Sequence, residues 1–290
     1  MNQISFDKES YMFFPLSWKN VVVGILIIIF SYAIQAGTMG TIAHHPLEQG
    51  KWNLSINGGI ADTRFTDSST VLRFSGIDIN GNLNLSGVLG AGNDYYFNKL
   101  FSTHYFYGLG INYAYTNNLE WGVEFEGSRA DGQRYRRNTR IGFFDQTYGS
   151  YESYSGYLQS TYYFDNYIKV HDSLIHPFVG AKVGISYRPE VVVSNDFLDG
   201  FPVTFDGKSS TIFYKSSSSV SGGIYTGLMM NIKESLAAFI KVGIMASDGL
   251  LGHNLFNKTV AIRPIQKASV SNSGAIISIP VMIGVKKFFN

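Results

Sequence analysis

The segment Tyr105-Phe106-Tyr107-Gly108-Leu109-Gly110-Ile111-Asn112-Tyr113-Ala114-Tyr115 has a repeat of two residues. Large apolar and aromatic side chains occupy every second position from Tyr105 onward, and the positions between them include Gly108, Gly110 and Asn112. Successive side chains of a β-strand point to opposite faces of its sheet, so this repeat predicts a strand with two different faces. Residues 116–118, Thr-Asn-Asn, predict a short turn before the next alternating run.

Alternating runs recur along the chain, at residues 52–60, 105–115, 121–126, 154–164, 179–187, 220–230, 236–246 and 277–286. One parity of these runs is apolar, whereas the other is rich in glycine and serine and carries a few charges. A soluble β-sandwich would instead present many lysines, glutamates and aspartates on its non-apolar parity. Small residues with a few charges are typical of the crowded, polar lumen of a narrow barrel whose outer face contacts hydrocarbon.

The runs therefore predict an all-β fold, a closed antiparallel transmembrane up-and-down β-barrel of about eight strands. Closure is required because an open sheet edge in lipid leaves unpaired N–H and C=O groups, each of which is costly. Aromatic residues near the ends of the runs are predicted to lie at the two lipid–water interfaces. They are Trp52, Tyr105, Tyr115, Trp121, Tyr162 and Tyr187.

The connections between the runs alternate in length. Residues 116–120, 165–176 and 231–235 are short or moderate connections, whereas residues 62–103, 129–151, 189–219 and 247–273 are long and polar. Short turns at one end and long loops at the other are typical of an outer-membrane barrel. Two long connections contain the hairpin signals Asn80-Gly81 and Asp206-Gly207, which predict either extensions above the membrane or further spanning strands. The sequence thus allows eight or ten strands.

The N-terminal segment is predicted to be a cleaved signal peptide. Lys19 precedes an apolar run at residues 21–30, and Ala33-Ile34-Gln35-Ala36 follows, which is the order of charged region, apolar region and cleavage site. An uncleaved anchor is the alternative, although the apolar run is shorter than the ~20 residues that a spanning helix needs. The expected organisation is a signal peptide, residues 1–36, and one outer-membrane barrel domain, residues 37–290.

Composition excludes several classes of function. The 290 residues are 45% hydrophobic and only 15% charged, which excludes a disordered protein. The chain has no cysteine, so disulfides, thiolate metal sites and cysteine nucleophiles are excluded. A net charge of +2 gives no general attraction to nucleic acid, and we expect no nucleic-acid partner.

One pair of runs carries a more specific pattern. A run that ends in the aromatic-Asp pair Phe164-Asp165 is followed by Pro-Phe-Val-Gly-Ala-Lys-Val-Gly at residues 177–184. Together with its surroundings, residues 154–187, this pattern resembles the eight-stranded outer-membrane barrels of the OmpA-like and opacity-type surface-antigen family. The resemblance implies a Gram-negative outer-membrane location, contact with outer-membrane lipids and lipopolysaccharide, insertion by the barrel-insertion machinery, and a structural or surface-antigen role.

Four charged residues fall on the parity that should line the lumen: Glu124, Glu126, Lys182 and Lys241. Charges removed from water favour pairing, so these residues are predicted to form an internal ion-pair network. The network would either gate a small pore or only fix packing and register, since an eight-stranded barrel has room for little more than its own side chains.

The one concentrated charge run lies in a long connection. It contains five arginines and a single acid, Asp131; the arginines are Arg129, Arg134, Arg136, Arg137 and Arg140. On an external loop these guanidinium groups would bind lipopolysaccharide phosphates or a sulfated glycan of a host surface, or they would form a solvated loop with no dedicated partner.

The sequence favours a surface antigen or interaction protein, with a small porin-like diffusion pore as the alternative and a lipid-acting outer-membrane enzyme third. An enzyme is not expected, because no G-x-S-x-G nucleophile motif occurs. His44 and His45 are adjacent and cannot easily share a metal ion, so no metal site and no cofactor are expected.

Overall fold

The structure is a computed structural model that describes residues 47–66, 72–76, 85–89, 96–139, 142–164, 168–170, 173–198, 210–233, 235–252, 254–256, 265–270 and 273–289. The strands in these residues are β1 Trp52–Phe65, β2 Leu72–Gly76, β3 Leu85–Leu89, β4 His104–Ala114, β5 Leu119–Ala130, β6 Arg134–Thr139, β7 Gly142–Tyr148, β8 Tyr151–Tyr163, β9 Ile168–Val170, β10 Ser173–Arg188, β11 Val191–Leu198, β12 Ser210–Lys215, β13 Ser217–Lys233, β14 Leu236–Ser247, β15 Leu251–Gly252, β16 Asn254–Phe256, β17 Ile265–Val270 and β18 Ile276–Phe288. One short helix, α1 Phe97–Leu100, precedes β4. No helix in these residues is long and apolar enough to cross a membrane. The predicted signal peptide lies outside the described residues.

Eight long strands close into an antiparallel barrel. The order around the barrel is β1-β4-β5-β8-β10-β13-β14-β18, and β18 pairs back with β1. This last ladder runs from Asn53 opposite Phe288 to Phe65 opposite Ile276, so no barrel edge is left unpaired along its length. The prediction of a closed, up-and-down antiparallel barrel is confirmed, and the number of barrel strands is eight.

The alternation of the sequence becomes an alternation of exposure. In β4 every residue from Tyr105 to Tyr113 on the apolar parity is exposed, whereas every residue from His104 to Ala114 on the other parity is buried. The exposed parity is apolar around the barrel, as in Ile56, Leu109, Leu158, Ile185, Ile224 and Ile283. The predicted direction of the two faces is therefore confirmed, with the apolar face outward and the polar face inward.

Inward glycines make room for the large side chains of the lumen. A Cβ atom at Gly180 would lie 2.4 Å from the ring of Tyr225. At Gly184 the obstacle is the backbone, because a Cβ atom would lie 1.9 Å from the carbonyl oxygen of Gly156 on the neighbouring strand. The glycine-rich parity is thus a steric requirement of a narrow, filled barrel.

The long connections fold into structure of their own. Strands β6, β7, β11, β12 and β15 form a five-stranded sheet in the order β15-β12-β11-β7-β6, and β2, β3, β16 and β17 form a four-stranded sheet. The β2–β3 and β11–β12 hairpins belong to these sheets and not to the barrel, so the ten-strand alternative is wrong. Strands β2 and β3 have five residues each, which is shorter than the ~9–11 residues that cross a bilayer. The hairpin-signal residues themselves lie outside the described residues.

Two apolar clusters lie at the two ends of the barrel. The loop-side cluster joins the ends of barrel strands to the folded loops; it contains Phe65, Phe97, Leu100, Phe101, Ala130, Tyr148, Tyr151, Val191, Val193, Phe213, Tyr214, Leu250 and Ile276. The turn-side cluster lies at the short turns; it contains Leu47, Ala114, Tyr163, Phe178, Tyr225, Met229 and Ala237. We call α1 together with the five-stranded sheet the loop lobe. The loop lobe is therefore packed on the barrel through a continuous apolar core.

Candidate functional site

Two acids and two lysines meet inside the barrel, midway along β5, β10 and β14. The Lys182 ammonium donates to Glu124 Oε2 over 2.9 Å and to Glu126 Oε2 over 2.5 Å. The Lys241 ammonium donates to Glu124 Oε1 over 2.8 Å. The structure thus brings together all four residues that the sequence placed on the lumen parity, and Glu124, with 1% of its surface exposed, is shared by both lysines.

This central network is electrically balanced. Its two carboxylates and two ammonium groups are all buried, and ions removed from water require compensation by partners of opposite charge. Asn57 Nδ2 adds a hydrogen bond to Glu124 Oε1 over 2.8 Å, and the Lys182 Nζ lies 4.4 Å from the centroid of the Tyr157 ring. The network joins strands that are not neighbours in the barrel, so it braces the lumen across its width.

A second buried ion pair, nearer the short turns, was missed by the sequence analysis. Lys286 Nζ donates to Glu120 Oε1 over 2.6 Å, and the Tyr163 hydroxyl lies 2.5 Å from the same ammonium and donates to the same carboxylate. Asn53 Nδ2 donates to Glu120 Oε2 over 3.0 Å. The signal in the sequence was the inward parity of Glu120 and Lys286, but their pairing joins β5 and β18, which do not touch as strands.

The remaining space inside the barrel is small. Cavities among the described interior residues have volumes of about 30, 30 and 10 Å³. Each is sized for one or a few water molecules rather than for a solute. With apolar clusters at both ends, the described part of the lumen is filled by its own side chains.

The arginine run is divided between the barrel and the loop lobe. Arg129 lies at the end of β5 and pairs with Asp131 over 3.0 Å and with Glu152 over 3.6 Å. Arg134 and Arg136 are exposed and stand two residues apart on β6, an edge strand of the five-stranded sheet. Arg137 also belongs to the backbone of β6, and Arg140 lies outside the described residues. The structure therefore does not place the five arginines on one loop.

The six predicted interface aromatics are all exposed on the outer surface of the barrel. Trp52, Tyr115, Trp121 and Tyr162 lie toward the short turns, whereas Tyr105 and Tyr187 lie toward the loop lobe. Trp52 and Trp121 flank Tyr113 on adjacent strands, and the Trp52 and Tyr113 rings are 5.1 Å apart. Two aromatic belts with an aliphatic band between them match the two interfaces and the hydrocarbon core of a bilayer.

The geometry fixes the environment of the protein. A closed sheet satisfies its backbone groups without water, and an apolar exterior around a polar interior is stable in an apolar medium such as lipid rather than in water. Barrels of this kind span the bacterial outer membrane, with short turns in the periplasm and long loops outside the cell. The chain is an outer-membrane β-barrel protein in contact with membrane lipid.

The chain is similar to several solved structures of outer-membrane proteins at low identity. No protein-family model and no curated protein matches the chain. Among solved structures it is similar to Neisserial surface protein A, with 13% identity, coverage of 82% of this chain and 97% of that chain, and a TM-score of 0.35. It is similar to the attachment invasion locus protein of Yersinia pestis, in complex with the heparin analogue sucrose octasulfate, with 12% identity, coverage of 83% and 100%, and a TM-score of 0.34. It is also similar to the outer membrane protease OmpT from Escherichia coli, with 9% identity, coverage of 88% and 100%, and a TM-score of 0.34.

At such identities and TM-scores these similarities carry no conclusion about chemistry. The assignment rests on the closed sheet, the apolar exterior and the polar interior of the chain itself. On those grounds, the predicted resemblance to the eight-stranded outer-membrane barrels is confirmed.

Proposed function

We propose that the protein is a non-enzymatic, non-conducting anchor in the outer membrane that presents the loop lobe to anionic groups, namely lipopolysaccharide phosphates or sulfated host glycans. Residues 1–36 would direct export as a cleaved signal peptide, and the barrel-insertion machinery would insert residues 37–290. The observation that carries the proposal is the contrast between a filled lumen and a loop lobe that is packed on the barrel through a buried apolar core. Such a molecule has an ordered surface outside the barrel, whereas its described lumen is filled and leaves no room for a solute to pass.

The arginine pair of β6 is the part of that surface suited to anions. Arg134 and Arg136 are exposed at positions of equal parity, so both guanidinium groups are on the same face of the strand. Guanidinium groups bind phosphate and sulfate oxygens through paired, charge-assisted hydrogen bonds. An edge strand with two such groups supports binding of a linear, multiply charged ligand.

The double variant Arg134→Gln/Arg136→Gln is expected to bind heparin and lipopolysaccharide at least ~10-fold more weakly than the wild type, because each lost contact involves a charged partner. Affinity is measured on protein reconstituted in vesicles, at one fixed salt concentration. Arg64→Gln is the control, because it removes an exposed arginine from the barrel wall, outside β6. Dephosphorylated lipopolysaccharide separates the two ligand sources. Unchanged binding of the double variant to both ligands would remove the arginine face from the proposal.

Wild-type protein is expected to give no steady ion current in a planar bilayer, since the cavities among the described lumen residues named above have volumes of about 30 Å³ or less. The measurement uses single insertions at low and high salt. A steady current that Glu124→Gln alters would instead support the diffusion pore with an ion-pair gate. A change in the mass of lipid A on expression of the protein would support the lipid-acting enzyme.

A further inference from the structure

Arg188 is a buried cation that the proposed function does not use. It is the last residue of β10, and only 1% of its surface is exposed. It lines the same cavity as Tyr151, and within the described residues Nε and Nη1 have no acceptor. Arginine carries five N–H donors and no acceptor, so such a group calls for a partner with lone pairs.

The charge balance of the lumen gives the sign of that partner. The buried carboxylates of the described barrel are Glu120, Glu124 and Glu126, and each is already paired with one of the ammonium groups of Lys182, Lys241 and Lys286. These three acids and three lysines cancel. Arg188 therefore adds one positive charge, and no carboxylate of the described residues lies within ion-pair distance of it. A buried ion in that situation is strongly unfavourable unless a counter-ion is present.

Other donors without acceptors lie on the same side of the lumen. Ser217 is directly opposite Arg188 in the β10–β13 ladder and Ser219 is opposite Ser186, and both hydroxyl groups are shielded and have no hydrogen-bond partner in the described residues. Residues directly opposite in such a ladder point to the same face. The cluster is thus a set of N–H and O–H groups that converge from two strands.

Arg188 also lines a cavity of about 30 Å³ together with His104, Glu126 and the hydroxyl residues Ser186 and Ser221. His104 Nδ1 lies 2.7 Å from Thr63 Oγ1, which in turn lies 2.9 Å from Ser278 Oγ. If Ser278 donates to Thr63 and Thr63 donates to Nδ1, the hydrogen of the neutral imidazole is on Nε2, which has no partner in the described residues. Glu126 faces the cavity as well, but its Oε2 is 2.5 Å from Lys182 and its charge is compensated there.

We propose that the protein binds a monatomic anion, chloride under ordinary conditions, beside Arg188 in the extracellular half of the lumen. A cavity of about 30 Å³ admits a water molecule or a halide but not sulfate or phosphate. Water would satisfy the hydrogen bonds but would leave the charge of Arg188 uncompensated, whereas a halide satisfies both. The anion completes the charge balance of the barrel and holds β10 and β13 together below the loop lobe.

The test compares the folded protein in different sodium salts at equal ionic strength. The midpoint of thermal unfolding in detergent, read from the gel-mobility difference between heated and unheated samples, is expected to be about 2–4 °C higher in chloride or bromide than in gluconate. Crystals grown in bromide are expected to show an anomalous peak within hydrogen-bond distance of the Arg188 guanidinium.

Arg188→Gln is expected to abolish the halide-dependent shift, and Arg64→Gln, which removes an exposed arginine, is expected to retain it. If Arg188→Gln does not fold, the double variant Ser217→Ala/Ser219→Ala replaces it and is expected to reduce the shift. Equal midpoints in chloride, bromide and gluconate, or bromide peaks only elsewhere, would overturn the proposal.

Discussion

Replacing Glu124 by glutamine is expected to lower the free energy of unfolding of the barrel by ~3–5 kcal/mol, which is the typical effect of breaking a buried ion pair. Glu124 accepts hydrogen bonds from Lys182, Lys241 and Asn57, and its side chain is the only carboxylate within ion-pair distance of Lys241 in the described residues. Glutamine keeps the shape but removes the charge. It therefore leaves the Lys241 ammonium buried and unpaired, while Lys182 keeps Glu126.

Urea unfolding of the protein in lipid vesicles, followed by tryptophan fluorescence, measures this loss. The double variant Glu124→Gln/Lys241→Met is expected to recover much of it, because it removes the stranded cation together with its partner. Glu48→Gln is the matched control: Glu48 pairs with Lys51 on the surface, and such exposed pairs contribute little. A Glu124→Gln variant as stable as the control would mean that the central network does not stabilise the fold.

The parity of the chain was enough to predict where these charges lie. The repeat of two residues along each run determines which face of the sheet every side chain is on. If the apolar parity faces lipid, the parity of small residues must line a closed lumen. Glu124, Glu126, Lys182 and Lys241 were located on the inward face by this argument alone. Parity predicts the face of each residue, and chain order predicts the neighbours of each strand, because consecutive strands of an up-and-down barrel are paired.

Contacts across the lumen could not be predicted in the same way. Glu120 and Lys286 belong to β5 and β18, and the depth at which each meets the lumen axis depends on the tilt and stagger of the closed sheet. Those quantities are properties of all eight strands together. A sequence pattern confined to one run does not contain them, so this ion pair and the isolation of Arg188 were found only in the structure.

The loop lobe was the largest feature that the sequence did not predict. Its core residues are scattered in short groups, such as Phe97 with Leu100 and Phe213 with Tyr214, and no group is long enough to show a period. The sequence of the long connections therefore predicts polar loops with isolated hairpin signals. Their apolar residues form a core only where four separate connections meet above the same end of the barrel.

Replacing Phe213 by alanine is expected to destabilise the loop lobe by ~3–5 kcal/mol, the usual cost of truncating a buried phenylalanine. Phe213 is fully buried in the loop-side cluster, and its ring lies 5.1 Å from the ring of Tyr148 and 4.8 Å from that of Tyr214. The barrel ladder does not pass through β12, so the loss falls on the loop lobe. We expect local opening of the lobe while the barrel stays closed.

Limited proteolysis of intact vesicles, with the protease outside, reports this opening, and the gel-mobility shift on heating reports the barrel. Phe213→Ala is expected to be cleaved faster than wild type in the loop connections while it keeps the mobility shift. Leu251→Ala is the control, since Leu251 lies in the same sheet but is exposed.

Ligand binding by Phe213→Ala shows whether recognition needs the ordered lobe. Loss of heparin or lipopolysaccharide binding, with the barrel intact, would place recognition in the ordered lobe. Retained binding despite rapid cleavage would show that β6 needs no packed core to hold its arginines. Simultaneous loss of the lobe and the barrel would mean that the two unfold as one unit, because the loop-side cluster also contains barrel residues such as Phe65 and Ile276.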